Sequence, residues 1–191
     1  MKKAAWKKFP YPDKQYQYAG AALKKAWPRL HMGDCEPYPE DATVQDAWRA
    51  YHAGDFAKAV ELGLQAGLAG YNAANKAAMI YANYLEDDDA RKLVIFQEIA
   101  ARCEELQAAE PENANAWYTQ AYALGRYSQG ISVAKALAEG LGSKIKQLLG
   151  RSETFSFNLW SPVDRGEMTA EDAREAAMTG ARNVIEGPNL R

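Results

Sequence analysis

Apolar residues recur at every third or fourth position along most of the chain, which is the spacing of amphipathic helices. Past the first forty residues this pattern is interrupted at Gly54-Asp55, at an acidic run over 86–89 and at Pro111, each of which is typical of a turn. The pattern therefore predicts a succession of helices joined by short turns. The helices are predicted over 42–53, 56–67, 72–85, 90–109 and 113–127.

The two ends of the chain differ from this central part. Near the N-terminus the pattern predicts a helix over 13–27 that Pro28 stops. Near the C-terminus, apolar and polar residues alternate over 154–160, which predicts an extended segment, and a capping-box-like start predicts a helix over 169–184. The predicted domains are an N-terminal arm and helix (1–39), a helical array (40–150) and a C-terminal extended segment with a capping helix (151–191).

Alanine is unusually frequent, with 36 residues among 191, and it has the best intrinsic helix propensity. Valine and isoleucine, which favour strands, are sparse. The apolar and charged fractions, 48% and 25%, are ordinary for a folded soluble chain. The composition therefore predicts an all-α fold in which small side chains let helices pack closely.

Small and aromatic residues also follow the order of a known repeat. In the first predicted pair of helices, alanines lie where the helices would touch, a Gly-Asp turn joins them and an aromatic residue follows the turn. In these features the chain resembles the tetratricopeptide repeat family over about residues 40–140. The residues that carry the resemblance are Ala47, Gly54, Asp55, Phe56, Ala59 and Ala66, followed by Pro111, Trp117 and Ala121.

The resemblance implies a short α-solenoid of about three degenerate helical hairpins, with Trp117 buried between two of them. The middle unit is about seven residues too long for the family, because its matching residues recur at an offset of about 41. Four glycines break up the return helix of the third hairpin. The last hairpin of such an array leaves one apolar face open. This face is covered either by the C-terminal segment or by a second copy of the chain, as in a homodimer. The four glycines are Gly130, Gly140, Gly142 and Gly150.

In tetratricopeptide arrays the first helices of the hairpins line a groove that takes an extended peptide or a partner helix. The resemblance therefore implies a non-enzymatic scaffold that binds a protein or peptide segment. Tyrosine, tryptophan and arginine dominate binding hot spots, and asparagine can form paired hydrogen bonds with a peptide backbone. Each tyrosine is equally compatible with a place in the core. The implied groove residues are Trp48, Tyr51, Tyr81, Tyr84, Asn115, Tyr118, Tyr122 and Arg126.

The charge distribution supports a second hypothesis. The net charge is −2, but residues 1–30 carry eight basic residues and one acidic residue, so the rest of the chain is strongly acidic. A basic arm that also contains tryptophan and tyrosine, residues 2–29, is suited to bind nucleic acid or another anionic surface. The alternative is that the arm lies on the acidic body of the same chain.

Residues suited to catalysis or metal binding are few. The chain has two histidines, His31 and His52, and no serine or cysteine motif accompanies them, so we assign no catalytic residue. The loop that contains His31, Asp34, Cys35 and Glu36 is a weak candidate for a metal site, and we assign no metal and no cofactor.

Two cysteines far apart in the sequence predict free thiols and a reducing compartment. The N-terminus has no apolar run of the kind that a secretory signal needs, and no stretch predicts a membrane span. We therefore expect a cytoplasmic protein.

Overall fold

The computed structural model describes residues 6–159, and this part of the chain is helical without strands. The predicted all-α fold is confirmed. Short 3₁₀ helices lie at Lys14–Tyr16 and Gly67–Gly70. The α-helices are α1 (Ala22–Leu30), α2 (Ala42–His52), α3 (Phe56–Gln65), α4 (Tyr71–Tyr84), α5 (Asp89–Ala109), α6 (Ala114–Gln129), α7 (Val133–Ala138) and α8 (Leu141–Leu159).

The helices pack in succession as three hairpins. The pairs are α2 with α3, α4 with α5, and α6 with α8, while α3 also packs on α4 and α5 on α6. Among the first helices of the hairpins, α4 additionally contacts both α2 and α6, and we call these three the inner helices. The predicted short α-solenoid of three hairpins is therefore confirmed, and α7 is an additional short helix beside α8.

Four of the hairpin helices begin at a short polar side chain that accepts hydrogen bonds from backbone N–H groups of the first turn. These groups have no partner within the helix, so a side-chain acceptor stabilises the start. Gly54, with a φ of +81°, makes the predicted first turn in a conformation that favours glycine. The capping residues are Asp41 for α2, Asp55 for α3, Asp88 for α5 and Asn113 for α6.

Alanines occupy many of the buried positions between helices, and large side chains fill the space around them. Ala47, Ala59 and Ala77 are fully buried. A smaller cluster around Trp48 joins α1, α2 and the beginning of α4, and a larger cluster extends through the remaining hairpins to α8. This alternation of small and large residues gives interior packing density without strain.

The N-terminal helix is shorter than predicted. The chain forms a 3₁₀ turn first, and α1 begins only after Gly20, whose φ of +54° is incompatible with a continuous helix. The prediction that Pro28 stops the helix is wrong, because Pro28 lies inside α1. The buried Trp27 anchors this turn in the core, and its C=O still accepts the N–H of His31 at 2.9 Å.

The C-terminal prediction of an extended segment over 154–160 is wrong as far as residue 159, since α8 continues to Leu159. Leu141, Leu148 and Ser152 are buried at helical spacing, and α8 packs along α6, so this face overrides the short alternating pattern. Gly140 separates α7 from α8, whereas Gly142 and Gly150 lie within α8. The predicted helix over 169–184 and the capping segment lie outside the described residues.

The inner helices are unevenly spaced in the sequence. Helix α2 begins at 42, α4 at 71 and α6 at 114, so the second interval is 43 residues and the first is 29. Asn72 and Asn115, each the second residue of its helix, are therefore the equivalent positions, and the predicted offset of about 41 is too small. Trp117 is not buried between two hairpins as predicted, since it is half-buried. Its indole N–H donates to the C=O of Pro111, and its ring lies 6.3 Å from that of Phe155 on α8.

Candidate functional site

A short segment of the chain, His31–Glu36, contacts all three inner helices, and we call it the strap. It leaves α1 and reaches His52 on α2, Lys76 on α4 and Asn115 on α6. The face of the inner helices that it crosses is called the inner surface. The strap therefore covers part of the region where the sequence predicts a groove.

Glu36 is the centre of the polar contacts at one end of the strap. The side-chain amide of Asn72 donates to both carboxylate oxygens at 2.9 and 3.0 Å, and that of Asn115 donates to one of them at 2.6 Å. Asn115 also donates to the backbone C=O of Asp34 at 3.0 Å. Burial raises the pKa of Glu36 to about 7, with Glu110 acting in the same direction and the two amides opposing it.

Asp34 connects the strap to α4 and also contacts His31 at the beginning of the strap. Its carboxylate forms an ion pair with Lys76 and lies 3.0 Å from Nδ1 of His31. The Lys76 side chain is mostly enclosed, and burial lowers its pKa to about 8. Removing one partner of such a pair leaves an uncompensated charge in a poorly solvated place, so the two groups depend on each other.

The two histidines of the chain contact each other. Nε2 of His31 lies 3.3 Å from Nε2 of His52. Because Asp34 accepts from Nδ1–H of His31, the hydrogen-bond network assigns Nε2 of His31 as the acceptor and Nε2–H of His52 as the donor. The ring of His31 stacks on Trp27 at 3.9 Å and meets the edge of Trp48 at 4.7 Å.

This enclosure keeps both histidines neutral. Burial lowers the pKa of His31 to about 3, and the charge of Lys76 adds to the effect. Burial likewise lowers the pKa of His52 to about 4, with His31 contributing. A proton on either ring would also break the donor–acceptor pairing between them.

These pKa shifts predict how stability depends on pH. The histidines bind protons when the chain unfolds, so the stability they confer is present above their ordinary pKa of 6.5 and is lost as pH falls. Glu36 acts oppositely: its stabilising protonation is complete below its ordinary pKa of 4.5 and is lost as pH rises through about 7. Between pH 4.5 and 6.5 the unfolded chain holds protons on both histidines, whereas the folded chain holds one on Glu36. The unfolded chain therefore binds about one proton more, and the free energy of unfolding falls by about 1.4 kcal/mol per pH unit of acidification.

Replacing Glu36 by glutamine removes the proton that the folded chain binds at this residue, and with it the partial compensation of the two histidine protons. We therefore expect E36Q to lose about 2.7 kcal/mol per pH unit of acidification near pH 5.5, about twice the wild-type dependence. Urea unfolding at several pH values measures this slope. The exposed Glu40 provides the control E40Q, which should follow the wild type, and parallel slopes for E36Q and wild type would refute the assignment of Glu36.

Part of the predicted groove is covered by the chain itself. Trp48 and Tyr81 are 1% exposed, Tyr51 is half-buried, and Asn115 is bound by the strap. Trp6 stacks on Tyr81 at 3.9 Å, and the Tyr81 hydroxyl donates to Glu86 at 3.2 Å. The prediction that Trp48 and Tyr81 face an open groove is therefore wrong, since both are core residues in this fold.

The other predicted groove residues remain accessible on α4 and α6. Tyr84 is 59% exposed, and Tyr118, Tyr122 and Arg126 are partly exposed. The Tyr122 hydroxyl accepts from Nε of Arg126 at 3.3 Å and from the amide of Asn83, and the Arg126 guanidinium lies 5.3 Å from the Tyr122 ring centre. We call Asn83, Tyr118, Tyr122 and Arg126 the open patch.

Charge and burial distinguish the open patch from the strap site. Among the described residues no carboxylate pairs with Arg126, whose recorded partners are Tyr122 and Gln129. Burial raises the pKa of Tyr118 to about 12, and the nearby Tyr122 adds to this, so the Tyr118 hydroxyl stays protonated. The patch thus offers a cation and phenolic donors to a ligand.

The N-terminal arm is folded onto the body as far as the structure describes it. The backbone N–H of Lys7 donates to the Tyr81 hydroxyl at 3.3 Å, the Lys7 side chain pairs with Asp87, and the ring of Phe9 lies 5.9 Å from that of Phe56. Tyr18 and Trp27 are buried. Aromatic residues of the arm therefore pack against the protein itself, while Lys8 and Lys14 remain exposed.

Within residues 6–159 no group of three or more histidine, cysteine or acidic residues has the arrangement of a metal site. None of the described helices combines the length and the apolar character that a membrane span requires.

No protein-family model, curated protein or solved structure matches this chain. The resemblance to tetratricopeptide repeats therefore stays a prediction from the sequence.

The sequence singled out parts of the strap site only separately, the loop as a weak candidate for a metal site and Asn115 as a groove residue. Asn72, Lys76, Asp34 and Glu36 were not predicted to act together, because the first two lie on a helix and the others in a loop about forty residues earlier. A weak signal existed: Asn72 and Lys76 are polar residues one turn apart on an alanine-rich helix. Polar residues on one stripe of such a helix require polar partners when they are covered.

Proposed function

We propose that this chain is a non-enzymatic scaffold whose inner surface holds an extended segment of a partner protein. The observation that carries the proposal is the strap, a short turn of non-helical polypeptide that the inner helices already bind through side-chain amides, a lysine and aromatic rings. A surface that holds one such segment has the chemistry to hold another. The open patch continues this surface along α4 and α6.

The open patch indicates what the partner segment carries there. Arg126 presents donors suited to a carboxylate, and the Tyr118 and Tyr122 rings offer rigid, amphipathic contact area of the kind found in binding hot spots. Asn83 sits at the edge of the same patch, where its amide contacts Tyr122. We therefore propose a peptide segment with an acidic side chain or a terminal carboxylate opposite Arg126.

The alternative of an enzyme has less support from the histidine cluster. His31 is 4% exposed and lies between the rings of Trp27 and Trp48, so a substrate has no route to its nitrogens. A pKa of about 3 also makes His31 a poor base at neutral pH, because proton transfer is most effective near the operating pH. The cluster fits a structural role in holding the strap.

A selection from displayed random peptides tests the proposal. Peptides enriched against the full chain are synthesised, and their affinities are measured by fluorescence anisotropy for the wild type and for R126Q. We expect acidic peptides to be enriched and R126Q to bind them about tenfold more weakly or worse. The R126Q protein should retain the wild-type melting temperature, since Arg126 is partly exposed.

Lys58, an exposed cation on α3, provides the matched control K58Q, which should bind like the wild type. Equal affinities for R126Q and K58Q would place the binding site away from the open patch. Failure to enrich any peptide over a display of unrelated protein would contradict the scaffold function itself.

A further inference from the structure

We propose that the strap, His31–Glu36, is an internal ligand that shields Asn72, Lys76 and Asn115 and must leave the inner surface before a partner can occupy its full length. This inference rests on the proposed function, because it concerns the same surface. It assigns the strap a regulatory role, in which the free chain is self-occupied and the bound chain is opened.

The strap lies between two segments that are fixed by apolar contacts. Within the strap itself, only the first residue, His31, is buried among apolar side chains. Before it, Leu23 and Trp27 of α1 are buried against α2, and after it Tyr38 meets the ring of Trp27 at 5.2 Å. Within the strap, Met32 is 68% exposed and Gly33 is exposed. Release of residues 32–36 therefore does not require the hydrophobic clusters to open.

Empty space borders the C-terminal end of the strap. A cleft of about 440 Å³ lies between Cys35 and the beginning of α6, and it includes Glu110 and Asn115 in its walls. An adjoining cleft of about 330 Å³ borders Glu36 on the side of α4 and the turn before it. This end of the strap is therefore not closely packed on the side of the clefts.

The strap is also strained. Cys35 has a φ of +47°, a left-handed conformation that residues other than glycine seldom adopt. Such conformations persist where the surrounding contacts impose them, and here the flanking residues Asp34 and Glu36 are both tied to the inner helices. Release of the strap relieves this strain, which favours exchange with a partner.

What holds the strap is a set of polar contacts that a partner can replace. Asp34 pairs with Lys76, Glu36 accepts from two amides, and His31 accepts from His52. Two backbone contacts add to these, because Asn115 donates to the C=O of Asp34 at 3.0 Å and the Trp27 indole to that of Glu36 at 2.7 Å. D34N and E36Q each replace an acceptor oxygen by an amide N–H₂ group opposite donors, the Lys76 ammonium and the amides of Asn72 and Asn115, without changing an apolar residue. The double variant D34N/E36Q is therefore expected to open the strap while the hairpins stay folded.

The thiol of Cys35 is partly exposed while the strap is docked and becomes more accessible when it opens, whereas Cys103 is fully buried and serves as the internal control. We expect an uncharged thiol reagent such as 4,4′-dithiodipyridine to label Cys35 about threefold faster or more in D34N/E36Q than in the wild type, with Cys103 unchanged. The control variant E61Q/E153Q removes two exposed carboxylates from other helices and should label like the wild type.

A second measurement uses the strap itself as the probe. A fluorescein-labelled peptide of residues 28–39, with serine in place of Cys35, is titrated with each protein. We expect D34N/E36Q to bind it at least about tenfold more tightly than the wild type, whose surface is occupied, and addition of N72A/N115A to abolish this binding.

Two results would overturn the inference. If Cys35 is labelled at the same rate in D34N/E36Q as in the wild type, the strap is fixed. If that variant loses helical circular dichroism, the strap is part of the core. Selected peptides that bind the wild type and D34N/E36Q equally would refute the shielding role and leave the scaffold function standing.

Discussion

Replacing Trp48 by alanine is expected to lower the free energy of unfolding by about 3–5 kcal/mol. The side chain is 1% exposed. Its ring lies 5.5 Å from that of Trp27 on α1 and 4.7 Å from that of His31 of the strap, and Lys76 of α4 lies 5.9 Å from its centre. Truncation leaves a large cavity among rigid rings that cannot fill it, so the cost lies at the upper end for core substitutions. Urea unfolding at neutral pH measures it.

The exposed Tyr11 provides the control for the loss of an aromatic ring. Its side chain is 78% exposed, so Y11A should change the free energy of unfolding by no more than about 0.5 kcal/mol. A cost below about 1 kcal/mol for W48A would mean that Trp48 is accessible. The packing of α1 on α2 would then be wrong.

Replacing Gly63 by alanine is expected to destabilise the protein by about 1–3 kcal/mol, although alanine is the better helix former. Gly63 is buried in α3, and a Cβ there would lie 2.7 Å from the backbone oxygen of Gly70 and 2.9 Å from Cβ of Ala74. The obstacle is backbone, which cannot rotate away. Helices α3 and α4 would have to separate, and thermal or urea unfolding reports the loss.

Gly125 in α6 gives the matched control, since nothing lies within 4 Å of a Cβ built on it. G125A should therefore stabilise the protein by about 0.5–1 kcal/mol through helix propensity alone. We therefore expect G63A to lower the free energy of unfolding and G125A to raise it. A stabilising G63A would show that the first two hairpins are not in close contact.

Much of the fold could be predicted from local features of the sequence. The turn at Gly54-Asp55 and the interruption at Pro111 predicted helix boundaries that the caps Asp55 and Asn113 now define, because turns and caps depend on a few neighbouring residues. The alanine positions Ala47 and Ala59 predicted which faces touch. These are short-range properties, and they set the order of the three hairpins.

The errors arose where distant parts of the chain decide the outcome. Pro28 stays inside α1 because Trp27 is anchored in the core, and α8 continues through a locally alternating sequence because one of its faces packs on α6. Tyr81 lies in the core because Trp6 covers it, although its spacing suited a groove. Local pattern cannot predict such long-range contacts.

The candidate site depended on long-range contacts most of all. Asp34 and Glu36 have the pattern of a solvated loop, and the reason for Asn72 and Asn115 becomes visible only when the strap reaches both helices. By contrast, Tyr118, Tyr122 and Arg126 share one face of a single helix, so their proximity followed from helical spacing alone.

The meeting of His31 and His52 has a spectroscopic consequence, because the sequence contains no other imidazole. A nitrogen-15 nuclear magnetic resonance spectrum of uniformly labelled protein contains ring-nitrogen signals from these two histidines alone, and the two Nε2 signals belong to this contact. Their chemical shifts distinguish protonated from bare nitrogens, so the tautomers, and any exchange between docked and undocked forms, can be observed without substitutions or chemical tags.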